Sequence, residues 1–135
     1  MGTNLRYIKL TTLDAVPRYL FEQVKPREFD VDALYKWGPI IIANPLNLFG
    51  AFLDKEQAVK GVLWSSFNPI SNKIHCHILS IDKEYFGCGI LKEARGILNK
   101  NKKKLGAEKV TFTTTRPTVF EKIFGCEKIS IMMEK

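Results

Sequence analysis

Ile81-Asp82-Lys83-Glu84-Tyr85-Phe86-Gly87-Cys88-Gly89-Ile90-Leu91 is the stretch that decides the fold. An alternating apolar run, Ile74 to Ile81, ends in it, and a helical pattern, Ile90 to Leu105, begins in it. Alternation sends every second side chain to one face of a strand, whereas recurrence at three and four residues builds one face of a helix. Gly87 and Gly89 lie at the junction, where glycine lets backbone N–H groups turn toward a ligand with no Cβ in the way. The unsatisfied N–H groups and the dipole at a helix N-terminus favour an anion, so strand, glycine turn and helix together suit a phosphate. A Gly-x-Gly pair also serves any strand-to-helix turn, so the decision rests on what surrounds it.

Outward from the junction, Leu5–Leu10 reads as a first strand. Leu13, Val16, Leu20 and Val24 recur at helical spacing, with Thr11 or Thr12 as N-cap, Pro17 in the first turn and Pro26 as the stop. A second short helix is expected from Val31 to Trp37, ended by Gly38-Pro39. The period then changes to two: Leu48–Leu53 and Ala58–Phe67 form a hairpin, and Lys73–Ile81 adds a third strand after the turn at Asn68–Asn72. Ile90, Leu91, Ala94, Ile97, Leu98 and Leu105 trace one face of the next helix, with Gly106 to end it. Val110–Thr114 is a strand, Pro117–Phe124 a short helix, and Ile129–Met133 a last strand. The order β-α-α-β-β-β-α-β-α-β predicts an α+β fold, a central mixed sheet flanked by helices. The strand–helix–strand unit predicts that Lys73–Ile81 and Lys109–Thr114 run parallel.

A chain of 135 residues suffices for one domain with one core, here residues 1–135. No apolar run approaches the ~18 residues of a membrane span, and Met1–Leu10 lacks the layout of a secretory signal. Cys76, Cys88 and Cys126 are odd in number and have no Cys-x-x-Cys spacing, which argues against a disulfide framework and for the cytoplasm. The net charge of +7 is uneven. Residues 1–72 hold 8 Lys and Arg against 7 Asp and Glu, and residues 73–135 hold 13 against 7. The half that contains the glycine turn therefore favours an anionic partner. Its lysines are not interleaved with aromatics, so it offers nucleic acid no stacking platform.

The stretch Leu79–Ile90 resembles the fourth strand and pyrophosphate loop of the GNAT superfamily of acetyl-CoA-dependent N-acetyltransferases. The helix after it and Leu105-Gly106-Ala107-Glu108-Lys109-Val110 continue the likeness. The family's loop, Arg/Gln-x-x-Gly-x-Gly/Ala, falls on Phe86, Gly87, Cys88, Gly89, Ile90 and Leu91, so one of its three defining positions, Gly89, is kept. Phe86 lacks the side-chain hydrogen bond to phosphate, about 1.5–3 kcal/mol when charge-assisted, or roughly ten- to a hundredfold in affinity. Leu91 is expected to crowd the place where the pyrophosphate meets the helix.

The resemblance implies that acetyl-CoA is the cosubstrate and that an amine of a small molecule or protein is the acceptor. It implies that backbone groups of Leu79, Ser80 and Ile81 hold the pantetheine arm, and that the loop amides of Phe86–Leu91 hold the pyrophosphate. Lys92, Arg95 or the Lys100–Lys104 cluster would meet the 3′-phosphate. The family's carboxylate base maps at or near His75. Alternation puts His75 and His77 on one face and Cys76 on the other, and imidazole is a suitable acceptor for an ammonium proton. His-x-His supplies only two ligands, so no metal site is assigned. The family's acidic tyrosine has no counterpart: the position four residues before Gly125 is Glu121, preceded by Phe120, and Tyr85 is the nearest hydroxyl. The acceptor site would be built from Thr11–Asn47, where Tyr35 and Trp37 are candidates.

The departures at Phe86 and Leu91 also admit a second reading, a GNAT-fold binding or assembly protein without catalysis, as in small phage-encoded relatives. Only ten residues follow Gly125, room for one strand where the family has two. Ile129-Ser130-Ile131-Met132-Met133 is apolar on both faces, which predicts a homodimer through the C-terminal strand.

Overall fold

The computed structural model of the chain describes residues 5–24, 29–85 and 89–112. In chain order these form β1 (Arg6–Lys9), α1 (Arg18–Glu22), α2 (Val31–Ala43), β2 (Asn47–Leu53), β3 (Val59–Asn68), β4 (Lys73–Ile81), a 3₁₀ turn (Lys83–Tyr85), α3 (Ile90–Leu105) and β5 (Lys109–Phe112). The sheet order is β1-β2-β3-β4-β5. Neighbours are antiparallel up to β4, and β4 pairs with β5 in parallel from Lys73↔Lys109 to Cys76↔Phe112. The mixed sheet and the parallel crossover through α3 are those expected from the sequence. Phe86, Gly87 and Cys88, the expected helix Pro117–Phe124 and the expected strand Ile129–Met133 lie outside the described residues.

Two helices differ from expectation, one cut short at a proline and one continued through a proline. The segment Leu13–Val24 is not one helix. Thr12 Oγ1 accepts from the Asp14 amide, Val16 N–H bonds to Leu13 C=O, and Pro17 stands extended at φ −60°, ψ 136° as the N-cap of a five-residue helix. Pro17 disfavours helical backbone at Val16, which confines the helix to Arg18 onward. Leu13, Val16 and Leu20 are nevertheless all buried, so the spacing identified the inward residues and misjudged the backbone that delivers them. Conversely, α2 does not stop at Gly38-Pro39 but runs on to Ala43. Pro39 removes one helical hydrogen bond, yet Ile41 and Ile42 pack against the core in the added turn. Gly38 is there for close approach: a Cβ would lie 2.8 Å from Leu13 Cδ1. At the other end, the Asp30 carboxylate accepts from Ala33 N–H and caps the helix.

The sheet has a core on each face. On one, Leu20, Phe21, Val31 and Leu34 of the first two helices cover Phe49, Ala51, Val62 and Ile78. On the other, Ile90, Leu98 and Ala107 cover Phe52, Leu63, Ile74, Cys76 and Ile81. The register shifts where Trp64 pairs with Ile78 but Ser65 pairs with Cys76, leaving His77 as an extra residue in β4. A bulge of this kind reverses the alternation beyond it. Ile74 and Cys76 before the bulge face α3, whereas Ile78 after it faces α1 and α2.

Candidate functional site

The bulge gathers His75, His77, Ile78 and Ser80 on the α1–α2 face of β4. His75 and His77 lie edge to face, with ring centroids 4.8 Å apart, and His77 stacks on Trp64 at 4.4 Å. Trp64 stacks in turn on Phe49 at 5.7 Å, so four rings form a ladder across β2, β3 and β4. Polar contacts fix it. His75 Nδ1 meets Thr111 Oγ1 at 2.7 Å and His77 Nε2 meets Ser66 Oγ at 2.6 Å. Trp64 Nε1 donates to Asn47 Oδ1, and Asn47 Nδ2 donates to the Ile41 carbonyl at the end of α2. Cys76 points the other way, is buried, and has its thiol pushed up to about 12 by desolvation. It is thus protonated and inert at neutral pH.

Further along, α1 is tied to the C-terminal end of β4. Ser80 Oγ donates to the Leu20 carbonyl, and Gln23 Nε2 donates both to Ser80 Oγ at 2.8 Å and to the Ile81 carbonyl at 2.7 Å. Tyr19 donates its hydroxyl proton to Asp82. Burial, then this bond, pushes the Tyr19 phenol up to about 12, and the same bond holds the Asp82 carboxyl below the usual carboxylate range. The Asp82 amide bonds to the Lys60 carbonyl at 2.7 Å. Paired residues of an antiparallel ladder alternate between bonded and unbonded, so the N–H and C=O of Leu79 and Ile81 face away from β3, toward the β5 side. Of the three residues expected to hold an extended arm, Leu79 and Ile81 have this edge orientation. Ser80 instead spends its side chain on α1.

Beyond the 3₁₀ turn, Gly89 is the N-cap of α3 at φ +78°, ψ 11°, a conformation that favours glycine, and a Cβ there would meet nothing within 4 Å. Its carbonyl accepts from Lys92 and Glu93, so Ile90 and Leu91 supply the leading amides of the helix. Leu91 is half-buried against the α3-side cluster. Its side chain packs against the core beside the helix N-terminus. Lys92, Arg95, Lys100, Lys103 and Lys104 are exposed along α3. Tyr85 packs against the α3-side core, and burial raises its phenol.

The acceptor candidates separate. Tyr35 is committed to structure: its hydroxyl donates to the Val16 carbonyl and its ring meets Phe21 edge-on. Trp37 is half exposed, with Lys36 Nζ 5.5 Å from its ring centre. Sequence reasoning did not single out Gln23, Trp64, Ser66 or Thr111. Gln23 and Thr111 each reach β4 from 36 or more positions away along the chain, a separation at which no local pattern operates. Ser80 left a local trace, as a hydroxyl within an apolar strand run.

Neither a family model nor a curated protein matches the sequence; the likeness is three-dimensional. Glucosamine-6-phosphate N-acetyltransferase from Arabidopsis thaliana superposes with a TM-score of 0.75 at 15% identity, over 98% of this chain and 98% of its own. AAC(6')-Iy, in complex with the bisubstrate analogue CoA-S-monomethyl-acetylneamine, gives 0.76 at 15% identity, over 98% and 99%. A predicted acetyltransferase with acetyl-CoA from Clostridium acetobutylicum gives 0.75 at 15% identity, over 97% and 95%. The crossover joining β4 to β5 through α3, the antiparallel meander before it and these superpositions agree: the chain has the fold of the GNAT N-acetyltransferases.

Proposed function

We propose that this chain is one GNAT-like domain, residues 1–135, that moves an acetyl group from acetyl-CoA to an amine by direct attack. The observation that carries the reading is the arrangement on and beside β4. An imidazole pair lies near the middle of the strand, the backbone of Leu79 and Ile81 faces outward at its end, and the helix N-terminus formed by Gly89, Ile90 and Leu91 follows. His75 and Ile81 are six residues apart, about 20 Å along a strand, which suits a ligand with a reactive group at one end and an anion at the other. The donor set fits acetyl-CoA: backbone amides at the glycine turn for the pyrophosphate, and strand-edge groups for an arm that contains amides. Acetyl-CoA supplies the activated thioester when bound.

The chain's own residues do the rest. The amides of Gly89, Ile90 and Leu91, with those of Phe86, Gly87 and Cys88, would hold the pyrophosphate, and the exposed cations of α3 would raise its local concentration. His75 would take a proton from the acceptor's ammonium group, which leaves the neutral amine to attack. Its contact with Thr111 fixes the ring, while His77 and Trp64 brace it. Several of the superposed proteins are acetyltransferases that act on amine-bearing compounds, as their names state for glucosamine-6-phosphate and spermidine. This supports an amine acceptor and does not favour the non-catalytic binding or assembly role. The odd cysteine count and the buried Cys76 thiol suit a reducing compartment, and we place the protein in the cytoplasm. Among the described residues no helix is long and apolar enough to cross a membrane. Pairing of Ile129–Met133 between two copies would give a homodimer.

Isothermal titration with acetyl-CoA tests the reading. Binding in the micromolar range that is lost when CoA is replaced by pantetheine supports it, and absence of binding at millimolar acetyl-CoA refutes it.

A further inference from the structure

The geometry points to Gln23, on α1, as the residue that receives an amide of the CoA arm at the end of β4, in the place of the Ile81 carbonyl. This deepens the acetyl-CoA reading and rests on it. The Ile81 carbonyl faces the β5 side of the strand, where an extended ligand would find an acceptor, but it already accepts from Gln23 Nε2 at 2.7 Å. The second N–H of the same carboxamide goes to Ser80 Oγ at 2.8 Å, and Ser80 is held in turn by the Leu20 carbonyl. With both N–H groups spent on β4, Oε1 is the carboxamide's remaining polar atom. The carboxamide is planar, so fixing Nε2 by two bonds also fixes Oε1. The side chain acts as a one-residue extension of the strand edge: it engages the last edge carbonyl and presents an acceptor on the same carboxamide.

Two alternatives are weaker on the same geometry. Displacing Gln23 to free the Ile81 carbonyl would break two hydrogen bonds and strip Ser80, itself buried, of a partner. Each such bond is worth roughly tenfold in a binding constant, so a ligand that leaves Gln23 in place binds more tightly than one that evicts it. Using the second lone pair of the Ile81 oxygen would have the ligand share that acceptor with the carboxamide already bonded to it, and a shared acceptor gives each donor a weaker bond. Retention of Gln23 costs neither.

Calorimetry with two probes tests this: CoA, whose arm carries amides, and adenosine 3′,5′-bisphosphate, which lacks the arm. Gln23→Met keeps the length of the side chain and removes its hydrogen bonds. It is expected to weaken CoA about tenfold, ~1.4 kcal/mol, while binding of the bisphosphate stays within twofold of wild type. Unchanged or tighter CoA binding by a variant that still binds the bisphosphate overturns the assignment and leaves the acetyl-CoA reading standing. Failure of the wild-type chain to bind CoA at all overturns both. Should Gln23→Met not fold, the side-chain ¹⁵N amide resonances of Gln23 in the wild-type protein decide. A shift on adding CoA, absent with the bisphosphate and with slow hydrogen exchange retained, supports the assignment. Faster exchange on CoA binding shows eviction and refutes it.

Discussion

Replacing Ser80 with alanine removes the hydroxyl through which α1 holds the end of β4. Ser80 is 4% exposed, donates to the Leu20 carbonyl and accepts from Gln23 Nε2. The variant loses both bonds and leaves a carbonyl and an amide N–H short of a partner in a half-dry site. A net hydrogen bond contributes about 0.5–1.5 kcal/mol, and an orphaned buried group costs about 1–3. Gln23 keeps its bond to the Ile81 carbonyl, so the lower part of the combined range, about 2–3 kcal/mol, is expected. A serine without such partners would change stability by about 0.5 kcal/mol or less. For a chain of this length, about 3–4 °C of melting temperature corresponds to each kcal/mol, so the midpoint should fall by about 6–12 °C. Differential scanning calorimetry of Ser80→Ala, Gln23→Ala and the double variant gives a coupling energy as well. Because the two side chains share a bond, the double variant should cost about 0.5–1.5 kcal/mol less than the two single costs added. A drop below about 2 °C for Ser80→Ala, or strict additivity, would refute the view that these residues clamp α1 to the strand.

Three further outcomes follow from the same geometry. His75→Ala should lower acetyl transfer by about 10²–10⁴-fold with little change in calorimetric affinity for acetyl-CoA; equal rates across pH would remove His75 from catalysis. Burial raises the Cys76 thiol and the Tyr7 phenol each to about 12. The unfolded chain therefore releases these protons first as pH rises, and stability should fall from about pH 9 upward. Thermal melts from pH 8 to 11 check this, and Tyr7→Phe should flatten the alkaline limb if it folds as wild type. Sedimentation equilibrium at micromolar concentration should give a dimer that a truncation after Gly125 abolishes; a wild-type monomer would defeat the pairing of Ile129–Met133.

Local pattern sufficed for much of the fold. Lys73–Ile81 and Ile90–Leu105 have the bounds read from alternation and from helical spacing, because the apolar residues recur at the period of a strand in one and of a helix in the other. Gly106 ends α3 at φ +68°, as a glycine after the last apolar repeat implies. The parallel pairing of β4 with β5 follows from the single helix between them. Where two local signals conflicted, packing decided: Pro17 shortened α1, while the burial of Ile41 and Ile42 carried α2 through Pro39.

The site was legible only in part. Placing His75 opposite Cys76 needs nothing beyond the two-residue period of a strand. The bulge at His77 was hidden, since Ile74, Cys76, Ile78 and Ser80 alternate without a break in the sequence although the strand changes face between Cys76 and Ile78. A bulge is set by how β3 pairs with β4, a contact between segments, and hydropathy along one segment carries no trace of it. The same holds for Gln23 at Ile81, Thr111 at His75 and Trp64 beneath His77: each is a meeting of residues remote in the chain. The sequence by itself determined where most of the described strands and helices lie, because that depends on neighbours a few positions away. Which side chains converge on β4, and in what orientation, was decided only when α1, β3 and β5 were brought against that strand.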